Sequence, residues 1–141
     1  MSQSVSMTRQ QSAPKVVVID DNPDVANVYV SVLAAAGYEV GVAESARSGM
    51  RQIRLVRPDL VLLDLNLPDA PGTAVLRAIR ADEALKALPV IVLSASARVT
   101  DMLEAVSAGA DDCAAKPCEP AALLYKVAHL LRRGGPRRPA R

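Results

Sequence analysis

The chain has 141 residues, the size of one domain, and a net charge of +2 that favours no particular class of partner. No apolar run approaches the roughly 20 residues that cross a bilayer, and the polar N-terminus lacks a signal-peptide core, so we predict a cytoplasmic protein. Half of the residues are hydrophobic but Phe and Trp are absent, so the core must consist of Val, Leu, Ile and Ala.

The first third of the chain predicts a strand and a helix after a polar leader. Residues 1–14 are rich in Ser and Gln without an apolar period, and we predict that they are disordered. The aliphatic run 16–19 predicts the first strand. Asn22-Pro23-Asp24 then begins a helix, and Gly37 ends it. The predicted buried stripe of this helix is Val25, Val28, Tyr29, Val32 and Leu33.

A second strand and helix follow. The strand, residues 38–42, is more polar than the first, which places it near a sheet edge. The helix begins at Glu44-Ser45 and stops at Pro58. Its apolar residues include Met50, Ile53 and Leu55.

The third strand ends in a single carboxylate. The run 60–63 is aliphatic without alternation, as in a parallel strand that is covered on both faces. Asp64 follows it directly, and two prolines and a glycine within the next eight residues require a turn. A helix over 73–80 comes next, and its predicted inward residues are Val75, Leu76 and Ile79.

The last third predicts two more strands, each followed by a helix. Residues 82–88 are a loop or a helical extension, and strand 90–93 ends at Ser94. The helix 99–108 ends at Gly109, and its predicted buried residues are Met102, Leu103 and Val106. A short strand, 111–115, stops at Lys116-Pro117. The fifth helix begins at Pro120 and ends before Gly134-Gly135-Pro136, with a predicted inward face of Leu123, Leu124, Val127, Leu130 and Leu131.

Five strands that alternate with five helices predict a doubly wound α/β fold with a parallel sheet. We assign residues 15–133 to this domain and residues 134–141 to a basic flexible tail. In a parallel sheet Asp20, Asp21, Asp64 and Ser94 reach the same edge. Three converging carboxylates repel one another unless a positive charge lies among them, and Mg²⁺ is a suitable cation.

These residues, taken in order, resemble a known family. Asp20-Asp21, Asp64 within DLVLLDLNLPDAPG, Ser94-Ala95 and Gly109-Ala110-Asp111-Asp112 leading to Lys116-Pro117 together resemble the response-regulator receiver domains of two-component signalling. The resemblance covers about 15–133. It implies a flavodoxin-like (βα)5 fold with the strand order 2-1-3-4-5. It also implies a cis Lys116–Pro117 bond and an Asp64 carboxylate near the Lys116 amine.

The resemblance implies a phosphorylation site as well. Asp64 is the expected phospho-acceptor, with a sensor histidine kinase or a histidine phosphotransfer protein as donor. Lys116 supplies positive charge, and the Ser94 hydroxyl binds a phosphoryl oxygen. The expected Mg²⁺ ligands are Asp21, Asp64, the backbone carbonyl of Asn66 and, mainly through water, Asp20.

The resemblance describes a regulator rather than an enzyme, and it allows a homodimer through the fourth helix, fifth strand and fifth helix. Two positions depart from the family pattern: Cys113 replaces a common aromatic residue, and Cys118 replaces a frequent Phe. We predict that both cysteines are small buried residues. His129 is predicted to lie on the surface. The arginine-rich end is interpreted as a solvated segment, which argues against a nucleic-acid partner.

Two other functions compete with this interpretation. A Mg²⁺-dependent phosphatase of the haloacid-dehalogenase type also uses an aspartate nucleophile at a strand end, but it needs a second aspartate where this chain has Asn66. A pseudo-receiver that binds partners without phosphorylation is disfavoured by the complete set of Asp20, Asp21, Asp64, Ser94 and Lys116.

Overall fold

The computed structural model describes residues 12–96 and 98–137, so most of the predicted disordered leader and residues 138–141 of the predicted tail lie outside the described residues. The five strands are β1 Lys15–Ile19, β2 Glu39–Ala43, β3 Leu60–Asp64, β4 Val90–Ser94 and β5 Asp112–Ala115. The helices between and after them are α1 Pro23–Ala35, α2 Ala46–Val56, α3 Gly72–Ala81, α4 Val99–Ala108 and α5 Pro120–Arg137.

The strands form one parallel sheet in the order β2-β1-β3-β4-β5, which confirms the predicted topology. The polar strand β2 lies at an edge, as its composition predicted. Ile19 pairs with Leu63 and Asp64 pairs with Leu93, so the carboxyl ends of the central strands lie side by side. Because ligands of open α/β sheets bind at this edge, the register determines where a site can form.

Successive side chains of a strand point to opposite faces of the sheet, so the strands build a core on each face. Val17 and Ile19 face α2, α3 and α4, while Val16 and Val18 face α1 and α5. The inner strands β3 and β4 are buried at every position. This double coverage explains why their sequences are continuous aliphatic runs rather than alternating ones.

The predicted inward faces are right for α3 and wrong in part for α1 and α4. Val28 of α1 and Leu103 and Val106 of α4 are 55%, 61% and 57% exposed, and Leu55 of α2 is 78% exposed. The residues that α1 and α4 bury include alanines, namely Ala26, Ala105 and Ala108. An alanine face lets a helix approach its neighbours closely, and the larger residues on the adjacent face then remain in solvent.

Helix α5 buries Leu123, Val127 and Leu130 as predicted, whereas Leu124 and Leu131 are only half-buried. The helix continues to Arg137 instead of ending before Gly134. The buried residues lie in the first eleven positions and fix the helix there, so a further turn can form although Gly and Pro are weak helix formers.

Candidate functional site

The predicted site residues meet at the carboxyl edge of the sheet. Asp20 and Asp21 follow β1, and Asp64 is the last residue of β3. One carboxylate oxygen from each of these three residues lies within 4.8 Å of the other two. Asp20 and Asp64 are buried, whereas Asp21 is exposed. The three acids therefore line one crevice that is open to solvent on the Asp21 side.

Lys116 is the cation of this crevice. Its Nζ donates a hydrogen bond to Asp20 Oδ2 at 2.7 Å and lies 3.5 Å from Asp64 Oδ2. The exposed fractions of the three side chains are 14% for Lys116, 3% for Asp20 and 6% for Asp64. The predicted proximity of Asp64 and Lys116 is confirmed, and so is the cis Lys116–Pro117 bond.

Backbone groups fix the two buried carboxylates. The Asn22 N–H donates to Asp20 Oδ1 at 2.9 Å, and the Asn66 N–H donates to Asp64 Oδ1 at 3.2 Å. Each carboxylate thus has one oxygen on a backbone amide and one near Lys116. This arrangement holds an oxygen of Asp64 at the surface of the crevice in a fixed orientation.

The charges of the crevice are unbalanced. Burial raises the pKa of Asp64 above its ordinary value, against the hydrogen bond of Asn66 and the charge of Lys116, and the charge of Asp20 acts in the same direction as burial. Burial alone would lower the pKa of Lys116, but its contacts with Asp20 and Asp64 outweigh burial and raise it. Both pKa values are raised because one ammonium faces two buried carboxylates: Lys116 gains from two anions, while Asp64 shares Lys116 with Asp20. A further cation would reduce this excess of negative charge.

The donor set fits Mg²⁺. Asp20, Asp21 and Asp64 offer hard carboxylate oxygens, and Asn66 lines the same crevice. Mg²⁺ takes few protein ligands and keeps several waters, which suits a crevice that is open on one side. These residues would hold the ion, and it would supply positive charge beside the Asp64 oxygen.

Ser94 ends β4 and is buried, but its hydroxyl is engaged locally. Ser94 Oγ accepts a hydrogen bond from the Ser96 N–H at 3.1 Å, and the Ser94 carbonyl accepts one from the Lys116 N–H at 2.8 Å. Ala95 lines the crevice together with the acids and Lys116. Ser94 therefore lies next to the site, and the role predicted for its hydroxyl remains a prediction.

The cysteines are half-buried rather than fully buried, which corrects the prediction for both. Cys113 packs against the core on the α2, α3 and α4 side, whereas Cys118 packs against the opposite core. Burial raises the pKa of each thiol above its ordinary value. His129 is exposed as predicted and stacks on Tyr125 with the ring centroids 6.2 Å apart.

The loop after Asp64 returns close to its own start. Asn66 and Pro71 form an antiparallel bridge, and the Gly72 N–H donates to the Leu65 carbonyl at 2.7 Å. A Cβ on Gly72 would lie 2.5 Å from the Asp64 carbonyl oxygen and 2.8 Å from Leu65 Cα. Both contacts are with the backbone, so a side chain at this position must displace the loop that carries Asp64.

We expect Gly72→Ala to lower the free energy of unfolding by about 1–3 kcal/mol, the usual cost of overpacking. Urea denaturation measures this change. Gly41→Ala is the matched control, because its Cβ would meet only the end of the flexible Gln52 side chain. We expect the control to change stability by no more than about 0.5 kcal/mol. Equal effects of the two substitutions would contradict the role given to Gly72.

Two long-range polar anchors were missed in the sequence, one in the loop after Asp64 and one at the opposite edge of the sheet. Asp69, in the loop after Asp64, accepts hydrogen bonds from the N–H groups of Ala46 and Arg47 at 2.8 and 3.0 Å and so caps α2. Arg80 of α3 donates to the Gly109 carbonyl and to Asp111. These pairs are more than twenty positions apart in the chain, and no local pattern marks such contacts.

The strand order and the acidic crevice define a flavodoxin-like α/β domain whose site carries a partly buried lysine among carboxylates. Residues 16–128 match the family model of the response regulator receiver domain. The match covers most of the chain, and the chain belongs to this family. Its relatives are response regulators rather than enzymes. The family is therefore not that of the haloacid-dehalogenase phosphatases.

Similar proteins include the transcriptional regulatory protein PrrA of Mycobacterium leprae, 40% identical over 88% of this chain and 52% of its own length. The DNA-binding response regulator MtrA of Mycolicibacterium smegmatis is 36% identical over 84% of this chain and 51% of its own length. The crystal structure of a CheY-like receiver domain protein from Methanospirillum hungatei superposes with a TM-score of 0.83 at 27% identity, covering 89% of this chain and 99% of that one.

The chain therefore spans about half the length of the curated relatives that it matches. One of them is named for DNA binding, so the prediction against a nucleic-acid partner is not confirmed. Among the described helices, none combines the length and the apolar character that a bilayer-spanning segment requires.

Proposed function

We propose that this chain is the phospho-accepting receiver of a two-component system or phosphorelay, with Asp64 as the acceptor. The single observation that carries the proposal is the buried Asp64 carboxylate, which lies 3.5 Å from Lys116 Nζ in a crevice of three acids. A sensor histidine kinase or a histidine phosphotransfer protein is the donor, and phosphorylation changes the binding of a partner. The cytoplasmic location and the receiver domain predicted from the sequence are part of this proposal, with the last helix of the domain extending to Arg137.

The reaction is the attack of a carboxylate oxygen on phosphorus. An oxygen of Asp64 forms a bond to the phosphorus while the bond from phosphorus to the donor's imidazole nitrogen breaks, and that nitrogen takes its electron pair and a proton from water. The Asn66 N–H holds the second Asp64 oxygen, and Lys116 neutralises charge on the phosphoryl group. Positioning and charge neutralisation are the main requirements of phosphoryl transfer.

The metal ligands of the proposal are Asp21, Asp64 and the Asn66 carbonyl, with Asp20 acting mainly through water. The hydrogen bonds of Asp20 support this division, because both of its oxygens already have partners in Asn22 and Lys116. Asp21 is exposed at the mouth of the crevice. The Ser94 hydroxyl, whose oxygen accepts from the Ser96 N–H, is proposed to donate its proton to a phosphoryl oxygen after phosphorylation.

A homodimer through α4, β5 and α5 is also proposed. The exposure of Val99, Leu103 and Val106 on α4 and of Tyr125 on α5 supports it, because apolar surface of this kind favours association. The partner that receives the signal is a protein in this proposal. The relative MtrA is named for DNA binding, but we do not assign that activity to this domain.

Incubation with acetyl phosphate and Mg²⁺, followed by intact-mass measurement, tests the proposal. We expect the mass of one phosphoryl group to appear and to persist, and we expect much less of it when the ion is chelated. Turnover of acetyl phosphate without any labelled protein would support the phosphatase. A chain that neither gains mass nor consumes acetyl phosphate would be a pseudo-receiver.

A further inference from the structure

The outward face of α2 carries three arginines on one side of the helix. Arg47, Arg51 and Arg54 stand at positions i, i+4 and i+7, and all three are exposed. Residues at this spacing lie on the same helix face. These arginines line a single open groove together with Met50 and Leu55. We call these five residues the α2 groove.

Among the described residues, most of the positive charge of the α2 groove is not paired with a carboxylate. Within residues 12–96 and 98–137, neither Arg47 nor Arg51 forms an ion pair, and Arg54 reaches Asp82 only at 3.8 Å between two partly exposed side chains. Asp69 lies near Arg47 and offsets part of its charge, but its carboxylate oxygens bind the N–H groups of Ala46 and Arg47 and not a guanidinium. The groove therefore attracts negative charge, whereas the crevice at the sheet edge repels it.

The apolar residues of the groove distinguish between negatively charged partners. Leu55 is 78% exposed, and Met50 lies between the arginines and is half-buried. A phosphate backbone gains nothing from an exposed leucine, because its contacts are made by charged and polar groups. An amphipathic helix with acidic flanks satisfies both parts of the groove, since its apolar side chains cover Leu55 and its carboxylates reach the arginines.

We propose that the α2 groove is a docking surface for an acidic amphipathic helix of a partner protein. Helix α2 has 11 residues, so it offers about 16 Å of contact, or three turns. The groove is also connected to the loop after Asp64, because Asp69 of that loop caps the first turn of α2. Docking itself does not require phosphorylation, so the test uses the unphosphorylated chain and is independent of the proposed phospho-acceptor.

The probe is a fluorescein-labelled peptide of Leu, Glu and Ala, about 15 residues long so that it can form a helix. Its leucines stand at helical spacing and its glutamates flank them. A scrambled peptide of the same composition and a mixed-sequence DNA duplex serve as comparison ligands. Fluorescence anisotropy gives the dissociation constants, and amide chemical shifts show which residues of the protein contact the peptide.

We expect the amphipathic peptide to bind and to shift amides of α2. We expect Arg51→Glu and Leu55→Ala each to weaken binding by about tenfold, as losing one charged or one apolar anchor does. Arg77→Glu is the matched control, because Arg77 is exposed on α3 and does not line the groove; it should leave the affinity within a factor of two or so.

Four results would overturn the proposal. They are no binding of the peptide, equal binding of the scrambled peptide, an equal loss of affinity in Arg77→Glu, and tighter binding of the duplex at α2. The second and third would show non-specific charge attraction, and the fourth would make nucleic acid the partner.

Discussion

An Asp64→Asn protein is expected to take up no phosphoryl group from acetyl phosphate and Mg²⁺, whereas the wild type is expected to gain one. Asparagine keeps the shape of the side chain, so the crevice and its hydrogen bond with the Asn66 N–H can persist. The amide lacks the nucleophilic oxygen anion that forms the bond to phosphorus. Intact-mass measurement after equal incubation times compares the two proteins directly, and the expected loss is complete.

Asp69→Asn is the matched control for this substitution. Asp69 lies on the same loop as Asp64 but is exposed and caps α2. We expect this variant to retain phosphoryl uptake. Undiminished labelling of Asp64→Asn would mean that another residue is the acceptor, and peptide mapping would then locate it.

The same Asp64→Asn substitution is expected to stabilise the metal-free protein near pH 7. The pKa of Asp64 is raised by folding, so the folded protein binds the proton more tightly than the unfolded chain does. The contribution of Asp64 to stability is therefore fully present below the ordinary carboxyl pKa and is lost as the pH rises through the raised pKa. Asparagine removes this loss, and the gain in thermal midpoint should disappear when the pH is lowered below about 3.8, the ordinary value of Asp.

Most of the fold could be predicted because the strands are short aliphatic runs between turn residues. The runs 60–63 and 90–93 contain no polar residue, and only a strand that is covered on both faces requires this. The site followed from the fold, since parallel strands bring their carboxyl ends to one edge. Asp20, Asp21, Asp64 and Lys116 could therefore be placed together before any distance was known.

The helix faces could not be predicted equally well, because periodicity does not distinguish which of two adjacent apolar stripes is buried. In α4, Leu103 and Val106 were the larger residues, but Ala105 and Ala108 face the core. A close helix contact favours the small residues there. The sequence pattern therefore predicted Leu103 and Val106 to be buried, although both are exposed. These two residues belong to the surface that is proposed for the homodimer.

Long-range polar contacts could not be predicted from local sequence patterns for another reason. The guanidinium of Arg80 donates to the carbonyls of Lys86, Leu88 and Gly109 and to Asp111. This contact set depends on the packing of α3 against the start of β4 and the end of α4. An isolated arginine near a helix end gives no sign of such a role, whereas Lys116 was marked by its position before a proline at a strand end.

Lys116→Met is expected to destabilise the metal-free protein by about 3 kcal/mol at neutral pH, the usual cost of removing one partner from a buried ion pair. Lys116 Nζ is the cation that contacts both Asp20 and Asp64 among the described residues, and these side chains are almost fully buried. Methionine fills a similar volume, so the loss reflects charge rather than packing. Urea denaturation gives the change in free energy of unfolding.

The charge imbalance of the crevice also predicts how the Lys116→Met defect can be relieved. The proposed Mg²⁺ would bind the folded state and should restore most of the lost stability, and acidic pH should do so by protonating Asp64, whose pKa burial raises. Lys126→Met is the control, because Lys126 pairs with Asp112 at 3.1 Å between partly exposed side chains, and such pairs contribute at most about 1 kcal/mol. Equal losses in the two variants, or no recovery with Mg²⁺, would show that Lys116 does not balance the charge of the acids.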